Sequence, residues 1–235
     1  MNETILTRVS RPAMAPWLIQ CDFDGTISLP DVTDSLLNRF GLPGWQEAEA
    51  AWMRGEIGSR VCMQRQVALL DVDEATLIDH LDTIDIDPTF PAFVARAEAL
   101  GLAVQVISDG IDFAIHRILW RHGLDRLPVA ANRLVSTGPR RWALQSPHAD
   151  SACARDSGTC KCASLSRQHA VGRSVAFIGD STSDFCVSRH ADRVFAKSRL
   201  IEHCIDNDIP HTAFEHFGQL LVHLDALAAD QREAA

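Results

Sequence analysis

The chain has 235 residues, 46% hydrophobic and 23% charged, enough for one domain with a large insertion or two small ones and too apolar for a disordered or collagen-like chain. With 22 basic residues against 31 acidic ones the formal charge is −9, and the scattered Lys and Arg argue against nucleic acid as a partner. Seven cysteines without regular spacing do not make a secreted disulfide framework, and the first twenty residues, with Arg8, Arg11, Pro12 and Pro16, hold no apolar stretch suited to a signal peptide or membrane span. The expectation is a cytoplasmic protein, monomeric or homodimeric, that meets no membrane.

Trp17-Leu18-Ile19-Gln20-Cys21 is a short apolar run before Asp22-Phe23-Asp24-Gly25-Thr26 and predicts a buried strand ending in a turn. Helical signals follow: Asp31 before Val32, Leu36 and Phe40; Trp45 with Ala48 and Trp52; then Val61 through Leu70, with Gly41 and Gly55 as breaks. The distance from Asp22 to Ser108 far exceeds the ~30 residues of a strand–helix–strand unit. A small helical cap over residues 31–96 is therefore expected, inserted into an α/β core made of residues 1–30 and 97–235.

The run from Leu102 to Ile107 predicts a second strand that stops at Ser108-Asp109-Gly110. A helix follows, with Ile111, Ile115, Ile118, Leu119 and His122 on one face and Gly123 as its stop. Residues 136–160, rich in Ser, Pro, Gly and Cys, predict a long loop. Ser174 to Ile178 predicts another strand, ending at Gly179-Asp180, and Arg193 to Ala196 a weaker one. This alternation gives an α/β fold: a doubly wound, mostly parallel sheet with helices on both faces, whose ligands bind beyond the carboxyl ends of the strands. Asp22, Ser108 and Asp180 all fall at such ends and are expected to share one crevice.

Two carboxylates at i and i+2 reach one site if Gly25 lets the chain turn sharply. Asp22 then presents its side chain to metal and substrate, while Asp24 offers its main-chain carbonyl to a hard cation and keeps its carboxyl for proton transfer. Asp180 supplies a third oxygen, and Asp184, four residues on, orients the ligands; the set suits Mg2+. An anionic nucleophile meets about 4 kcal/mol of repulsion per charge pair at 4 Å from a phosphate at an effective dielectric near 20. Lys161 is the cation expected to offset it, with Ser108 and the amides of Asp109 and Gly110 as further donors at a helix start.

In that order, Asp22 to Thr26, Ser108, Lys161 and Gly179 to Asp184 resemble the four motifs of the haloacid dehalogenase superfamily of phosphatases. The resemblance implies a nucleophilic Asp22 that forms an aspartyl-phosphate, Asp24 as acid and then base, and magnesium held by Asp22, Asp24 and Asp180. It also implies a phosphate site comprising Thr26, Ser108, Asp109, Gly110 and Lys161. Gly55, Val67 to Leu70 and Val106 to Gly110 resemble the phosphoserine phosphatase branch, but Asp31, Gln66 and Ser183 replace its usual Glu, Arg and Asn, so these three mark substrate specificity. Pro147-His148, the Cys-rich run from Cys153 to Cys162 and Phe195-Ala196-Lys197 are similar to the methionine-salvage phosphatases that act on 2-hydroxy-3-keto-5-methylthiopentenyl-1-phosphate. The implied partner is a small phosphorylated metabolite. Phosphoserine, a phosphomutase or phosphotransferase reaction, and a non-catalytic receiver-like phosphate sensor are the competing readings.

Taken singly, each motif has a plainer explanation: Asp22 and Asp24 as turn formers, Ser108 as a helix cap, Lys161 as a solvated charge. His148, Cys153, Cys160 and Cys162 have no common zinc spacing, and a second metal there stays open. Cys21, Cys62 and Cys186 read as small core residues, and Trp45, Trp52 and Met53 either as core or as the wall of a thioether pocket.

Overall fold

Every residue of the first strand, β1 (Trp17–Cys21), is buried, as befits a strand flanked on both sides and covered on both faces. It pairs in parallel with β2 (Ala103–Ile111) and with β5 (Ser174–Gly179), Cys21 standing opposite Val106 on one side and Ile178 on the other. This is a computed structural model in which residues 16–233 are described; Arg8, Arg11 and Pro12 lie outside them. The seven-stranded sheet is completed by β3 (Val129–Gly138), β4 (Arg141–Gln145), β6 (Arg193–Ala196) and β7 (Thr212–Ala213), in the order β4-β3-β2-β1-β5-β6-β7. All neighbours are parallel except the β3–β4 pair. The chain reverses its direction of travel at β1, the kind of switch point where open α/β sheets bind ligands.

Between β1 and β2 lie α1 (Val32–Phe40), α2 (Trp45–Met53), α3 (Ser59–Val67), α4 (Glu74–Leu81) and α5 (Phe90–Ala99). Asp31 and Asp73 cap α1 and α4 by accepting from Asp34 N and Thr76 N. The last helix of this stretch, α5, packs against β2 and the C-terminal α10 (Leu221–Glu233), and its Phe90 and Phe93 rings meet Phe217 at 4.7 and 5.1 Å. Leu36, Leu37, Leu77 and Leu81 join the apolar core under the sheet. By contrast, α2 and α3 add only Val67, with part-buried Trp45 and Met63, to that core. The remaining helices are α6 (Asp112–Arg121), α7 (Lys161–Ala170), α8 (Phe185–Ser188) and α9 (Arg199–Asp206). Among the described residues no helix is long and apolar enough to cross a membrane.

Two expectations are corrected. Residues 136–160 are not one long loop, because the Ser-Thr-Gly-Pro stretch is the tip of the β3–β4 hairpin. In β4, Trp142 and Leu144 point inward between exposed Arg141 and Gln145, and the Trp142 indole donates to Val72 O at 2.8 Å. The second strand does not stop before Ser108 but runs to Ile111, with its pairing to β3 irregular between Ile107 and Ile111. Ser108, Asp109 and Gly110 occupy that irregularity, at the sheet's carboxyl edge.

Candidate active site

Asp22 directly follows β1, and its amide donates to Ile178 O, which holds the end of β1 beside β5. The turn after it needs Gly25: its φ is 72°, and a Cβ there would lie 2.6 Å from Asp180 Oδ2. The Asp22 carboxylate, 4% exposed, accepts from Lys161 Nζ at 2.9 Å. The same ammonium donates to Asp184 at 2.5 Å and to Ser183 Oγ at 2.9 Å, so its three protons are all engaged. Burial, followed by the charge on Asp184, pushes the Asp22 carboxyl well above the usual carboxylate range, with Lys161 opposing. Burial would lower the Lys161 pKa, but Asp184 and Asp22 outweigh it and hold the amine charged.

Asp24 turns its carboxyl away from that cluster. One oxygen accepts from Val32 N at the start of α1, 2.9 Å away, and the other from Ser108 Oγ at 3.3 Å. Gly110 lies so close that a Cβ would run into the Asp24 carboxyl, and its amide donates to Ser108 Oγ at 2.9 Å. Desolvation, then the charge on Asp31, raises the Asp24 pKa to about 8, so near neutral pH this carboxyl carries a proton.

Asp22, Asp180 and Asp184 can each offer an oxygen within 4.8 Å of the others, the one group of three or more metal-ligating side chains among the described residues. Three hard oxygen donors beside one lysine fit a divalent cation such as Mg2+ and not a soft metal. Burial and then Asp184 raise Asp180 to about 6. Asp184 is fully buried and accepts from the amides of Asp180 and Ser181 at 2.9 and 3.1 Å as well as from Lys161, so it fixes the loop that carries Asp180. The Asp24 side chain stands outside the trio, leaving only its main-chain carbonyl for a cation.

A cavity of about 270 Å3 opens above these groups, bounded by Asp22, Asp24, Asp31, Gln66, Ser108, Asp109, Gly110 and Ser183 among the anticipated residues. Thr26 is not on its wall: fully buried, it donates its hydroxyl to Asp180 Oδ1 at 3.1 Å and so steadies a metal-ligand candidate in place of phosphate. The Asp109 carboxylate faces Ser59, Asn132 and Thr159, so only its amide remains for an anion. Gln66 donates to Glu49 at 3.0 Å. Asp31 sits at the mouth, raised to about 6 by desolvation and the nearby charges of Asp34 and Glu49.

Of the aromatic and thioether candidates only Trp52 lines the cavity, whereas Met53 is exposed and Trp45 packs on the core. Met63, Cys62, Ser59, Glu49 and Arg155 line it without having been anticipated. A signal for most of them existed: Ser59, Cys62, Met63 and Gln66 follow helical steps of three and four, so singling out Gln66 implied its whole face. Cys186 is exposed and not a core residue, its Sγ 2.9 Å from that of Cys162. Cys160 caps α7 through its sulfur, and His148, Cys153, Cys160 and Cys162 do not bring three ligand atoms together.

A profile of haloacid dehalogenase-like hydrolases matches residues 19–189, which spans every motif just described. The chain belongs to this family. It is 31% identical over 215 residues to a 2-hydroxy-3-keto-5-methylthiopentenyl-1-phosphate phosphatase of Exiguobacterium sibiricum, covering 88% of this chain and 95% of that one. The protein of the same name from Geobacillus thermodenitrificans is 28% identical over 214 residues, covering 88% and 94%. Among solved structures, a phospho-aspartyl intermediate analogue of phosphoserine phosphatase superposes with a TM-score of 0.68 at 18% identity, covering 89% of this chain and 99% of that one, a likeness of fold. The chain is thus a haloacid dehalogenase-type phosphoric monoester hydrolase, and the Asp22, Asp180 and Asp184 cluster agrees with that activity.

Proposed function

We propose that the protein is a magnesium-dependent phosphatase that frees phosphate from a small phosphomonoester through a covalent intermediate on Asp22. The observation that carries this is the meeting, at the floor of one cavity, of a lysine-paired carboxylate, Asp22, with a second carboxyl, Asp24, which burial pushes upward and which Val32 N and Ser108 Oγ hold in place. Asp22 attacks phosphorus, the bond to the leaving oxygen breaks, and Asp24 gives that oxygen its proton. Asp24, now a carboxylate, takes a proton from the water that attacks the aspartyl-phosphate, and the Asp22–phosphorus bond breaks. Lys161, Ser108 and the Gly110 region hold the non-bridging oxygens, the phosphate displacing Ser183 from the lysine. Asp22 and Asp180, with Asp184 beside them and the Asp24 carbonyl available, would hold magnesium, which would supply positive charge to offset that of the phosphoryl group.

On this reading residues 31–96 are the cap, with α2 and α3 as its roof, and the cap wall decides the substrate. No Lys or Arg from residues 31–96 lines the cavity, and the Gln66 amide is taken by Glu49. The cap itself offers a substrate carboxylate no cation, the cavity's arginines, Arg155 and Arg199, coming from the rest of the chain, whereas Trp52, Cys62 and Met63 suit a thioether chain. That supports 2-hydroxy-3-keto-5-methylthiopentenyl-1-phosphate, or a related phosphorylated metabolite without a carboxylate, as substrate. Seven free cysteines agree with a reducing cytoplasm.

The test is a panel of phosphomonoesters scored by released phosphate, with magnesium or chelator. Chelation is expected to abolish release and added magnesium to restore it. Magnesium is also expected to raise the melting temperature of the wild type but not of Asp180→Ala, a shift read without substrate. Phosphoserine is expected to fall about tenfold or more below the best substrate in kcat/KM, the worth of one missing charge-assisted hydrogen bond. Equal rates on phosphoserine would refute the specificity reading.

A further inference from the structure

Asp109, near the end of β2, has a carboxylate occupied by three separate parts of the chain. Ser59 Oγ, at the first position of α3, donates to Asp109 Oδ2 at 2.6 Å. Asn132 Nδ2 on β3 and the main-chain amide of Thr159 donate to Oδ1 at 3.0 and 2.9 Å. Asn132 Nδ2 also reaches the Asp109 carbonyl, at 2.6 Å. Asn132 and Thr159 are buried, and Thr159 lies two residues before Lys161.

We propose that Asp109 is a positioning residue, which latches the α2–α3 pair over the cavity through one carboxylate oxygen and fixes the segment leading to Lys161 through the other. The docking of that pair is otherwise weak in apolar terms, since only Val67 of its residues is buried in the main core. The start of α3 is held instead by polar contacts: Ser59 to Asp109, Ser59 N to Arg155 O, Arg60 N to Asp156 O, and the half-exposed Arg60–Asp156 ion pair. An exposed pair contributes little, which leaves two main-chain bonds and the half-buried Asp109 carboxylate, the one remaining charge-assisted side-chain contact, as the anchor. Because the same group orders Thr159, closure of the roof and placement of the lysine are coupled through one side chain. This rests on the phosphatase reading for its kinetic consequences, though not for the latch itself.

The two oxygens can be separated. Asp109→Asn keeps one acceptor for the two donors at Oδ1 and turns an NH2 toward Ser59 Oγ, so a charge-assisted bond becomes a neutral one of reversed direction, whereas Ser59→Ala removes the bond altogether. Ser59→Ala is expected to raise KM about tenfold with kcat within twofold, Asp109→Asn to raise it by less, and the double variant to add no more than twofold to Ser59→Ala. Asp109→Ala releases both arms and is expected to lower kcat at least tenfold as well. Hydrogen exchange, which needs no substrate, is expected to speed at residues 58–62 in all three and at 158–162 in Asp109→Ala alone.

Unchanged exchange at 58–62 in Ser59→Ala and Asp109→Asn would overturn the latch. So would a lowered melting temperature with KM unmoved, the mark of a purely structural residue. If Asp109→Ala does not fold, those two variants decide. If the wild type frees phosphate from no monoester, the phosphatase reading fails, and the exchange data alone decide the latch.

Discussion

Asp22→Asn is expected to abolish phosphate release, by on the order of 10^4-fold or more, without costing stability. The loss follows from the chemistry: an amide oxygen is too weak a nucleophile to form the acyl-phosphate, and the other groups cannot replace it. The persistence of the fold follows from the charge balance, since Asp22 and Asp184 share one lysine, Asp180 clusters beside them, and the carboxyl of Asp22 is raised well above its ordinary range by burial and by Asp184. Asparagine still accepts a hydrogen bond from Lys161 while removing a buried charge in excess. In the absence of magnesium the melting temperature is therefore expected to hold or rise, as for other sites where function is kept at a cost in stability. Phosphate release and thermal melting in chelator check the two halves. Turnover near the wild-type rate would remove Asp22 from the nucleophile's role, and a fall of many degrees would mean that its charge is needed to hold the lysine.

How much of this was legible beforehand depended on whether a residue's local sequence resembles its final surroundings. Val175 to Ile178 are buried on both faces of a central strand, so the run is uninterrupted and the Gly179-Asp180 stop stands out. The edge hairpin has no such signature: β3 alternates buried and exposed residues only in part, and the Ser-Thr-Gly-Pro turn reads as loop composition. Among site residues, Asp22, Ser108 and Asp180 could be anticipated because each sits at a strand end, where topology forces convergence. Thr26 illustrates the limit. Its place in the motif is visible in the sequence, but its direction, into Asp180 and away from the cavity, is set by a turn that only coordinates reveal. Arg155 gave no signal, since it is an exposed loop residue brought to the cavity by contacts far from it in sequence.

Lys161→Met is expected to do the opposite of Asp22→Asn to stability while sharing its effect on turnover. The lysine side chain is 3% exposed and faces Asp22 and Asp184, themselves 4% and 0% exposed. Removing it leaves buried carboxylates with no cation, a change that costs about 3–5 kcal/mol. For a chain of this size that corresponds to a fall of roughly 10 °C in melting temperature, measured in chelator so that no metal compensates. Turnover is expected to drop about 10^3-fold, the scale seen when one donor to a transition-state oxygen is lost. Adding Asp184→Asn to Lys161→Met separates the two consequences: one surplus charge is gone, so a good part of the lost stability should return, but the phosphoryl oxygens still lack their cation and activity should not. Recovery of both would mean that the lysine acts only by neutralising Asp184. Recovery of neither would mean that its alkyl chain, packed near Phe177 with the ammonium 5.9 Å from the ring centre, matters more than its charge.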